Sequence, residues 1–87
     1  MYYCYIVRCA DGTLYTGVTT ELARRLKEHN AGQGARYTAG RRPVQLVWKE
    51  KHPSRSSAQR RETQIKRLPR AEKEALIRPK KTKNAKK

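Results

Sequence analysis

A glutamate lies where the sequence pattern predicts the apolar face of a helix. Glu62 falls between Ala58 and Ile65, at positions i, i+4 and i+7 of one helical stripe. Carboxylates are seldom fully buried without a partner, because losing their hydration is costly in free energy. Two structural interpretations are an ion pair, with Arg25 as a candidate partner, and a helix rotated enough to expose the carboxylate. The functional interpretation is a metal-binding carboxylate at the wall of an open cleft.

A histidine and an arginine share the face of an earlier predicted helix. His29 follows Leu22 and Leu26 on one stripe, and Arg25 lies on its flank, one turn before the histidine. A lone histidine on an apolar face is usually a core residue with satisfied hydrogen bonds. The alternative is that the imidazole and the guanidinium point at the same phosphate, because the planar arginine fork matches phosphate oxygens.

Two tyrosines, Tyr5 and Tyr15, fall on neighbouring strands of a predicted hairpin. Cross-strand tyrosines most often pack against each other. A phenol can also donate a hydrogen bond to a water beside a phosphate, or accept a proton from it. The pattern therefore leaves both a packing role and a chemical role open for this pair.

The elements that must position these residues begin with a hairpin. β-rich runs at residues 3–7 and 13–18 flank Asp11-Gly12, and glycine supplies the positive φ that tight connections need. Thr20 is the predicted N-cap of the first helix, and Gly32 suits a left-handed cap at its end.

The second half of the chain adds one strand and two helices. A Gly- and Arg-rich connection over residues 32–43 leads to a strand at 44–48, where Val47 breaks the alternation. One of the serines at 54, 56 or 57 should cap the next helix, which Leu68 and Pro69 end. Pro69 can then sit in the first turn of the last helix. The predicted fold class is α/β of the α+β type: a small antiparallel sheet flanked by helices, in the order β-β-α-β-α-α.

The charge of the chain points to an extended anionic partner. Its 87 residues carry 22 Lys and Arg against 7 Asp and Glu, a net charge of +15. Residues 1–50 hold 8 basic and 4 acidic residues, whereas residues 51–87 hold 14 and 3. Such a density favours nucleic acid first and an anionic membrane second. We expect one domain over residues 1–78 and a disordered lysine-rich tail at 79–87.

Several classes of protein and site are excluded by what the sequence lacks. No apolar run is long enough to span a membrane, and the first residues do not resemble a secretory signal, so we expect a cytoplasmic protein. Cys4 and Cys9 have no Cys or His partners at zinc spacing, which favours reduced thiols. The glycines at 32–40 lack the Gly-Lys-Ser/Thr ending of a phosphate-binding loop.

Taken together and in order, these residues resemble a known family. The run Tyr3-Cys4-Tyr5-Ile6-Val7, then Tyr15-Thr16-Gly17, then Arg25, His29 and Glu62, is similar to the GIY-YIG nuclease superfamily, especially its small single-domain bacterial members. Asn30 and the run Gly34-Ala35-Arg36-Tyr37-Thr38 also resemble that subgroup. The resemblance covers residues 1–78. Two departures are Tyr-Cys-Tyr where the family name expects Gly-Ile-Tyr, and Tyr-Thr-Gly in place of Tyr-Ile-Gly; the tyrosine hydroxyls remain.

The resemblance implies a three-stranded antiparallel sheet and a metal-dependent phosphodiester hydrolase. Glu62 would be the one direct protein ligand of Mg²⁺ or Mn²⁺. Tyr5 or Tyr15 would take a proton from the attacking water with His29 assisting, and Arg25 would stabilise charge on the phosphate. The residues expected to hold the nucleic-acid backbone are Arg36, Tyr37, Arg41, Arg42, Arg61 and Lys66.

The expected substrate is DNA, with nicked or branched forms preferred over a particular sequence, because few residues are available to read bases. Two other classes of function remain open. One is a nucleic-acid-binding protein without catalysis, and the other is a protein that associates with RNA or the ribosome. Charge predicts binding in all three cases, so binding alone does not separate them.

Overall fold

The computed structural model describes residues 1–78, and the predicted tail at 79–87 lies outside the described residues. The elements are β1 Tyr2–Arg8, β2 Leu14–Thr19, α1 Leu22–Asn30, α2 Arg36–Ala39, β3 Gln45–His52, α3 Arg55–Lys66 and α4 Arg70–Ile77. The predicted fold class and element order are confirmed, and one short helix, α2, is added within the predicted connection. Among the helices of residues 1–78, none combines the length and the apolar character needed to cross a membrane.

The three strands form an antiparallel sheet with β1 in the centre and the order β2-β1-β3. The hairpin turn is the predicted one, because Gly12 has a φ of +87°. The Asp11 carboxylate braces this turn by accepting hydrogen bonds from the Thr13 amide at 3.1 Å and the Thr13 hydroxyl at 2.6 Å. Tyr5, at the middle of β1, lies opposite Gly17 on β2 and Lys49 on β3.

A register shift explains why Val47 breaks the alternation of β3. Ile6 is paired with Trp48, whereas the next residue, Val7, is paired with Leu46. Val47 is therefore the extra residue of a β-bulge, and bulges reorient the side chains around them. As a result Val47 and Trp48 pack against the same side of the sheet, although they are consecutive.

The two faces of the sheet have separate cores. We call the first the α1 face; its buried residues are Tyr5, Val7, Cys9 and Val44, with Tyr15, Leu22, Leu26 and Leu46 packed around them. We call the second the α3 face; its buried residues are Cys4, Ile6 and Ile65, with Leu14, Val47, Trp48, Leu76 and Ile77 around them. The alternation of side chains along β1 produces this division, because successive residues of a strand point to opposite faces.

The boundary of α1 differs from the prediction. Its N-cap residue is Glu21, not Thr20, and no side chain caps the first turn. The reason is a turn formed by the preceding residues. The Thr19 hydroxyl accepts a hydrogen bond from the Glu21 amide at 3.2 Å, so the chain turns before the helix begins. At the other end Gly32 has a φ of +83°, in agreement with the predicted left-handed position.

The later elements also differ in detail. β3 continues four residues beyond the predicted end at Trp48, because the first half of β1 needs a partner and Tyr2 pairs with His52. The predicted serine cap is confirmed: the Ser54 side chain accepts from the Ser57 amide at 3.1 Å. Pro69 occupies the N-cap position of α4 rather than its first turn.

Candidate active site

An open cleft of about 500 Å³ brings together residues from β1, β2, α1 and α3. Its walls include four of the five residues predicted to be catalytic: Tyr5, Tyr15, Arg25 and Glu62. Its remaining lining residues are Tyr2, Gly17, Val18, Thr19, Thr20, Arg55 and Gln59. The fifth predicted residue, His29, does not line the cleft and lies behind it.

Tyr5 reaches the cleft from the middle of the central strand, and Gly17 makes room for it. A side-chain carbon built on Gly17 would lie 2.6 Å from the Tyr5 hydroxyl and 2.7 Å from the adjoining ring carbon. Such distances are far inside van der Waals contact, so any other residue at this position would displace the phenol. The glycine of the Tyr15-Thr16-Gly17 motif therefore has a steric role in the position of Tyr5.

His29 is fully buried, with both ring nitrogens engaged. Its Nε2 lies 2.9 Å from the Tyr5 hydroxyl, and its Nδ1 lies 2.8 Å from the Thr38 hydroxyl. Burial, and then the charge of Arg25, lowers the pKa of His29 below its usual range. The interpretation as a core histidine with satisfied hydrogen bonds is therefore correct. The alternative of direct contact with a phosphate is wrong, because the imidazole is not exposed.

Arg25 presents a partly exposed guanidinium to the cleft. Its Nη1 donates to Glu28 at 3.0 Å, and its side chain is 29% exposed. The pKa of Tyr5 is raised by burial, while the nearby positive charge of Arg25 acts in the opposite direction. Tyr5 is therefore a protonated phenol near neutral pH, close to a fixed positive charge.

Tyr15 joins the cleft to a row of aromatic and basic side chains. Its ring meets His29 edge-on, with centroids 5.4 Å apart, and stacks on Tyr37 with centroids 5.8 Å apart. The Arg41 guanidinium lies 4.3 Å from the centre of the Tyr37 ring, within the range of a cation–π contact. Of the residues predicted to bind nucleic acid, Tyr37 thus contacts a cleft residue directly, and Arg41 is linked to the cleft through Tyr37.

Glu62 is partly exposed at the cleft wall and forms an ion pair. Its partner is Lys66, one helical turn later, at 3.1 Å, and its side chain is 23% exposed. The suggested pair with Arg25 is wrong, because Arg25 is held by Glu28. Within residues 1–78 no group of three or more His, Cys, Asp and Glu side chains could hold a metal ion. A single accessible carboxylate fits an ion such as Mg²⁺, which retains several waters, and does not fit a closed zinc site.

The other residues predicted to bind nucleic acid are spread over the surface. Arg36 is exposed at the start of α2. Arg42 donates to the Ala39 carbonyl at 2.8 Å and covers Gly32. Arg61 is paired with Glu50 at 3.0 Å and lies over Trp48, so it belongs to the α3 face rather than the cleft.

Sequence reasoning missed the residues that support His29. Asn30 forms two hydrogen bonds with the backbone of Val44, donating to its carbonyl at 3.1 Å and accepting from its amide at 2.6 Å. Gly34 lies directly against the imidazole, where a side chain would overlap it. Thr38 contacts the buried Nδ1. The signal for Asn30, Gly34 and Thr38 was their position in the run that resembles the small bacterial subgroup.

Two further cleft residues, Arg55 and Gln59, were also missed. They precede Glu62 at helical spacing and lie on the same side of α3, where all three line the cleft. That spacing is visible in the sequence, so extending the stripe of Glu62 toward the start of the helix would have found them.

The sheet, the helices and the cleft define a small domain with a nuclease-type fold. Residues 1–75 match the family described as the GIY-YIG catalytic domain, and the chain belongs to this family. The resemblance inferred from the tyrosine, arginine, histidine and glutamate pattern is thereby confirmed.

Similar proteins and structures agree with this assignment. The chain is 57% identical over 77 residues to the UPF0213 protein of Halobacterium salinarum, covering 88% of this chain and 100% of that protein. It is 51% identical to that of Staphylococcus haemolyticus, covering 87% and 93%. The NMR structure of the UPF0213 protein of Bacillus halodurans is 47% identical, with a TM-score of 0.57 over 88% of this chain and 83% of that one. A second NMR structure, from E. faecalis, is also 47% identical, with a TM-score of 0.60 over 87% and 81%.

Proposed function

We propose that this protein is a divalent-metal-dependent endonuclease that hydrolyses phosphodiester bonds of DNA. The observation that supports it is the meeting of Tyr5, Tyr15, Arg25 and Glu62 on one open cleft, although they come from four different elements. Phosphodiester hydrolysis needs a group that takes a proton from water, a positive charge at the phosphate, and an electrophile. The four residues supply candidates for all three.

Arg25 would stabilise the negative charge that develops on the phosphate. Its guanidinium is partly exposed at the cleft and is held in place by Glu28 at 3.0 Å. A donor that is already oriented before the reaction stabilises the transition state without further reorganisation, which is usually the largest electrostatic contribution to catalysis.

Tyr5 is the better placed of the two tyrosines to accept a proton from water. Its hydroxyl lies 2.9 Å from Nε2 of His29, so its own proton has an acceptor. Because burial raises the pKa of Tyr5, a free phenolate is disfavoured. The phenol would therefore pass its proton to His29 as it takes one from water. Tyr15, beside His29, would orient the water or the phosphate.

Glu62 would hold the metal ion, as the one carboxylate among the cleft residues. A single carboxylate, completed by water and phosphate oxygens, is a common way for proteins to bind Mg²⁺. The ion would supply Lewis-acid stabilisation at the phosphate. Lys66, which pairs with Glu62 at 3.1 Å, would have to yield the carboxylate when the ion binds.

The basic surface would bind the backbone of DNA without reading its sequence. The net charge of +15 predicts strong, salt-dependent attraction to phosphates. Arg36, Tyr37 and Arg41 lie on α2 or just after it, and Tyr37 stacks on the cleft residue Tyr15. Such contacts favour recognition of shape, so nicked and branched DNA are the proposed substrates.

The direct test compares the wild-type protein with Glu62→Gln and with the matched control Glu72→Gln, which alters a carboxylate of α4 outside the cleft. Cleavage of intact, nicked and branched duplexes is measured with and without Mg²⁺ or Mn²⁺. We expect metal-dependent cleavage by the wild type and the control, and a rate at least about 10²-fold lower for Glu62→Gln. Absence of cleavage by the wild type, or equal rates for all three proteins, would contradict the proposal.

A nucleic-acid-binding protein without catalysis is the second candidate, favoured by the ion pair that engages Glu62 with Lys66. If this candidate is correct, the wild type binds DNA but cleaves none of the substrates in any metal. RNA of matched shape should be included in the same assays. Tighter binding and faster cleavage of RNA than of DNA would contradict the choice of DNA.

A further inference from the structure

A chain of three hydrogen bonds, two of them buried, runs inward from the cleft. It starts at the Tyr5 hydroxyl, crosses the His29 ring, and reaches the Thr38 hydroxyl, with contacts of 2.9 and 2.8 Å. It ends where Thr38 donates to the carbonyl of Ala35 at 2.9 Å. Tyr5 is 2% exposed, and His29 and Thr38 are 0% exposed. The two contacts of the His29 ring are therefore buried, whereas the contact between Thr38 and Ala35 is partly buried.

The last contact determines the direction of every hydrogen bond in the chain. A hydroxyl has one hydrogen, and that of Thr38 is used by the Ala35 carbonyl. The Thr38 oxygen can then only accept from Nδ1 of His29, so Nδ1 carries the hydrogen. Because burial keeps the imidazole neutral, Nε2 has a free lone pair and accepts from the Tyr5 hydroxyl.

The opposite tautomer is disfavoured by the same geometry. If Nε2 carried the hydrogen, the lone pair of Nδ1 would face the lone pairs of the Thr38 oxygen at 2.8 Å. Relief would require Thr38 to turn its hydroxyl hydrogen away from Ala35 and give up that 2.9 Å hydrogen bond, although the Ala35 carbonyl would keep the amides of Thr38 and Ala39 as donors. Gly34 lies directly against the imidazole, and Asn30, the neighbour of His29 in sequence, is hydrogen-bonded to the backbone of Val44.

We propose that Thr38 is a positioning residue that fixes His29 in the Nδ1–H tautomer, so that Nε2 can receive the phenolic proton of Tyr5. The inference rests on the proposed nuclease function. As water attacks phosphorus, its proton moves to the Tyr5 oxygen and the phenolic proton moves to Nε2, leaving an imidazolium ion. The new bond joins the water oxygen to phosphorus, and the bond from phosphorus to the 3′ oxygen breaks. The 3′ oxygen takes a proton from solvent, and His29 later returns its proton through Tyr5.

The first test reads the tautomer directly in the wild-type protein, labelled with ¹⁵N in histidine. Long-range ¹⁵N–¹H correlations distinguish a protonated from an unprotonated ring nitrogen. We expect Nδ1 of His29 to be protonated and Nε2 to be unprotonated. An Nε2–H tautomer overturns the inference, and this measurement depends neither on a variant nor on activity.

The second test removes the hydroxyl with Thr38→Val and restores it with Thr38→Ser. The control is Thr63→Val, which removes a hydroxyl that also donates to a backbone carbonyl, that of Gln59 at 3.1 Å, but is exposed and far from a histidine in sequence. Thr38→Val should change the tautomer signals and lower kcat about 10- to 100-fold with little change in KM. Thr38→Ser should restore both, and thermal unfolding should check that each variant is folded.

The outcomes separate this inference from the proposed function. Unchanged signals and an unchanged kcat in Thr38→Val overturn the role of Thr38. DNA cleavage by a wild type with the Nε2–H tautomer overturns the inference and leaves the nuclease proposal standing. If Thr38→Val changes the tautomer but no form of the protein cleaves DNA, the positioning of His29 is supported and the nuclease proposal fails.

Discussion

The two faces of the sheet bury different kinds of residue. The α1 face encloses His29 and Thr38 next to Tyr5. Each of these polar side chains forms a hydrogen bond with another member of the group. The α3 face buries Cys4, Ile6 and Ile65, and burial raises the pKa of the Cys4 thiol to about 11, so that it behaves as a small apolar residue. Buried polar groups cost free energy unless each is hydrogen-bonded, whereas apolar burial stabilises in proportion to area.

The rims of the two faces differ in a similar way. At the edge of the α3 face, Arg8 of β1 donates two hydrogen bonds of 2.9 and 3.1 Å to Glu74 of α4. Arg70 adds a third at 2.9 Å. At the edge of the α1 face, Arg25 forms an ion pair with Glu28 of its own helix and remains at the cleft. The comparison indicates a division of roles, in which the α3 face stabilises the domain and the α1 face orients the two tyrosines of the candidate site. Four changes would break or sharpen this division.

Arg25→Gln should have the largest effect, and only on activity. We expect the rate of DNA cleavage to fall about 10²- to 10³-fold, because the charge at the phosphate is lost. The free energy of unfolding should change little, since partly exposed ion pairs contribute weakly. Arg24→Gln is the matched control: Arg24 pairs with the same Glu28 at 3.0 Å but is 58% exposed and does not line the cleft. Equal losses of activity in the two variants would contradict the assignment.

Ile65→Ala should have the opposite effect, because it should lower the stability of the protein and leave the activity of the folded protein largely unchanged. Ile65 is fully buried on the α3 face, so the cavity should lower the free energy of unfolding by about 2–5 kcal/mol. Ile65→Val should cost about 0.5–1.5 kcal/mol. Urea unfolding gives these values, and cleavage is then measured per folded molecule at low temperature. A loss of activity comparable to that of Arg25→Gln, with the protein still folded, would show that the two faces cannot be separated.

Gly17→Ala tests whether the absence of a side chain at Gly17 sets the position of Tyr5 in the cleft. The added methyl group would lie 2.6 Å from the Tyr5 hydroxyl, so the phenol must move and the backbone must adjust. We expect a cost of about 1–3 kcal/mol in unfolding free energy, as in other overpacked sites. We expect the rate of DNA cleavage to decrease and the Tyr5–His29 hydrogen bond to be weakened. The ¹⁵N chemical shifts of the imidazole report on that hydrogen bond. Normal shifts with normal activity would refute the steric role of Gly17.

Glu74→Gln should have the smallest effect, and one that depends on pH. Hydrogen bonds from Arg8 and then Arg70 lower the pKa of Glu74 from 4.5 to about 2. The folded protein therefore binds this proton less readily than the unfolded chain, so the stabilisation is present above pH 4.5 and is lost as the pH falls toward 2. The gap in urea midpoint between wild type and variant should shrink over that range. A gap that is constant with pH would mean that the charge of Glu74 does not contribute.

Local patterns predicted most of the fold because they depend on neighbours in sequence. The Gly12 turn and the Ser54 cap are determined within a few residues: the turn is as predicted, and Ser54 is one of the three serines that the sequence offers as a cap. The partner of Glu62 was assigned wrongly, although Lys66 at i+4 is the neighbour that helical spacing favours. The contact between His29 and Thr38 could not be predicted in this way, because it depends on a one-turn helix folding back over the end of α1.

In the sheet formed by the described residues, β3 is an edge strand. Its outer backbone groups could pair with a strand of another molecule, which is a common route to aggregation. Lys49 and Lys51 are exposed at alternate positions along this strand. A second copy adding itself to the sheet would bring these charges together, so we expect like-charge repulsion to oppose it. The same basic character that attracts phosphate is thus expected to oppose pairing of two copies through their β3 edges.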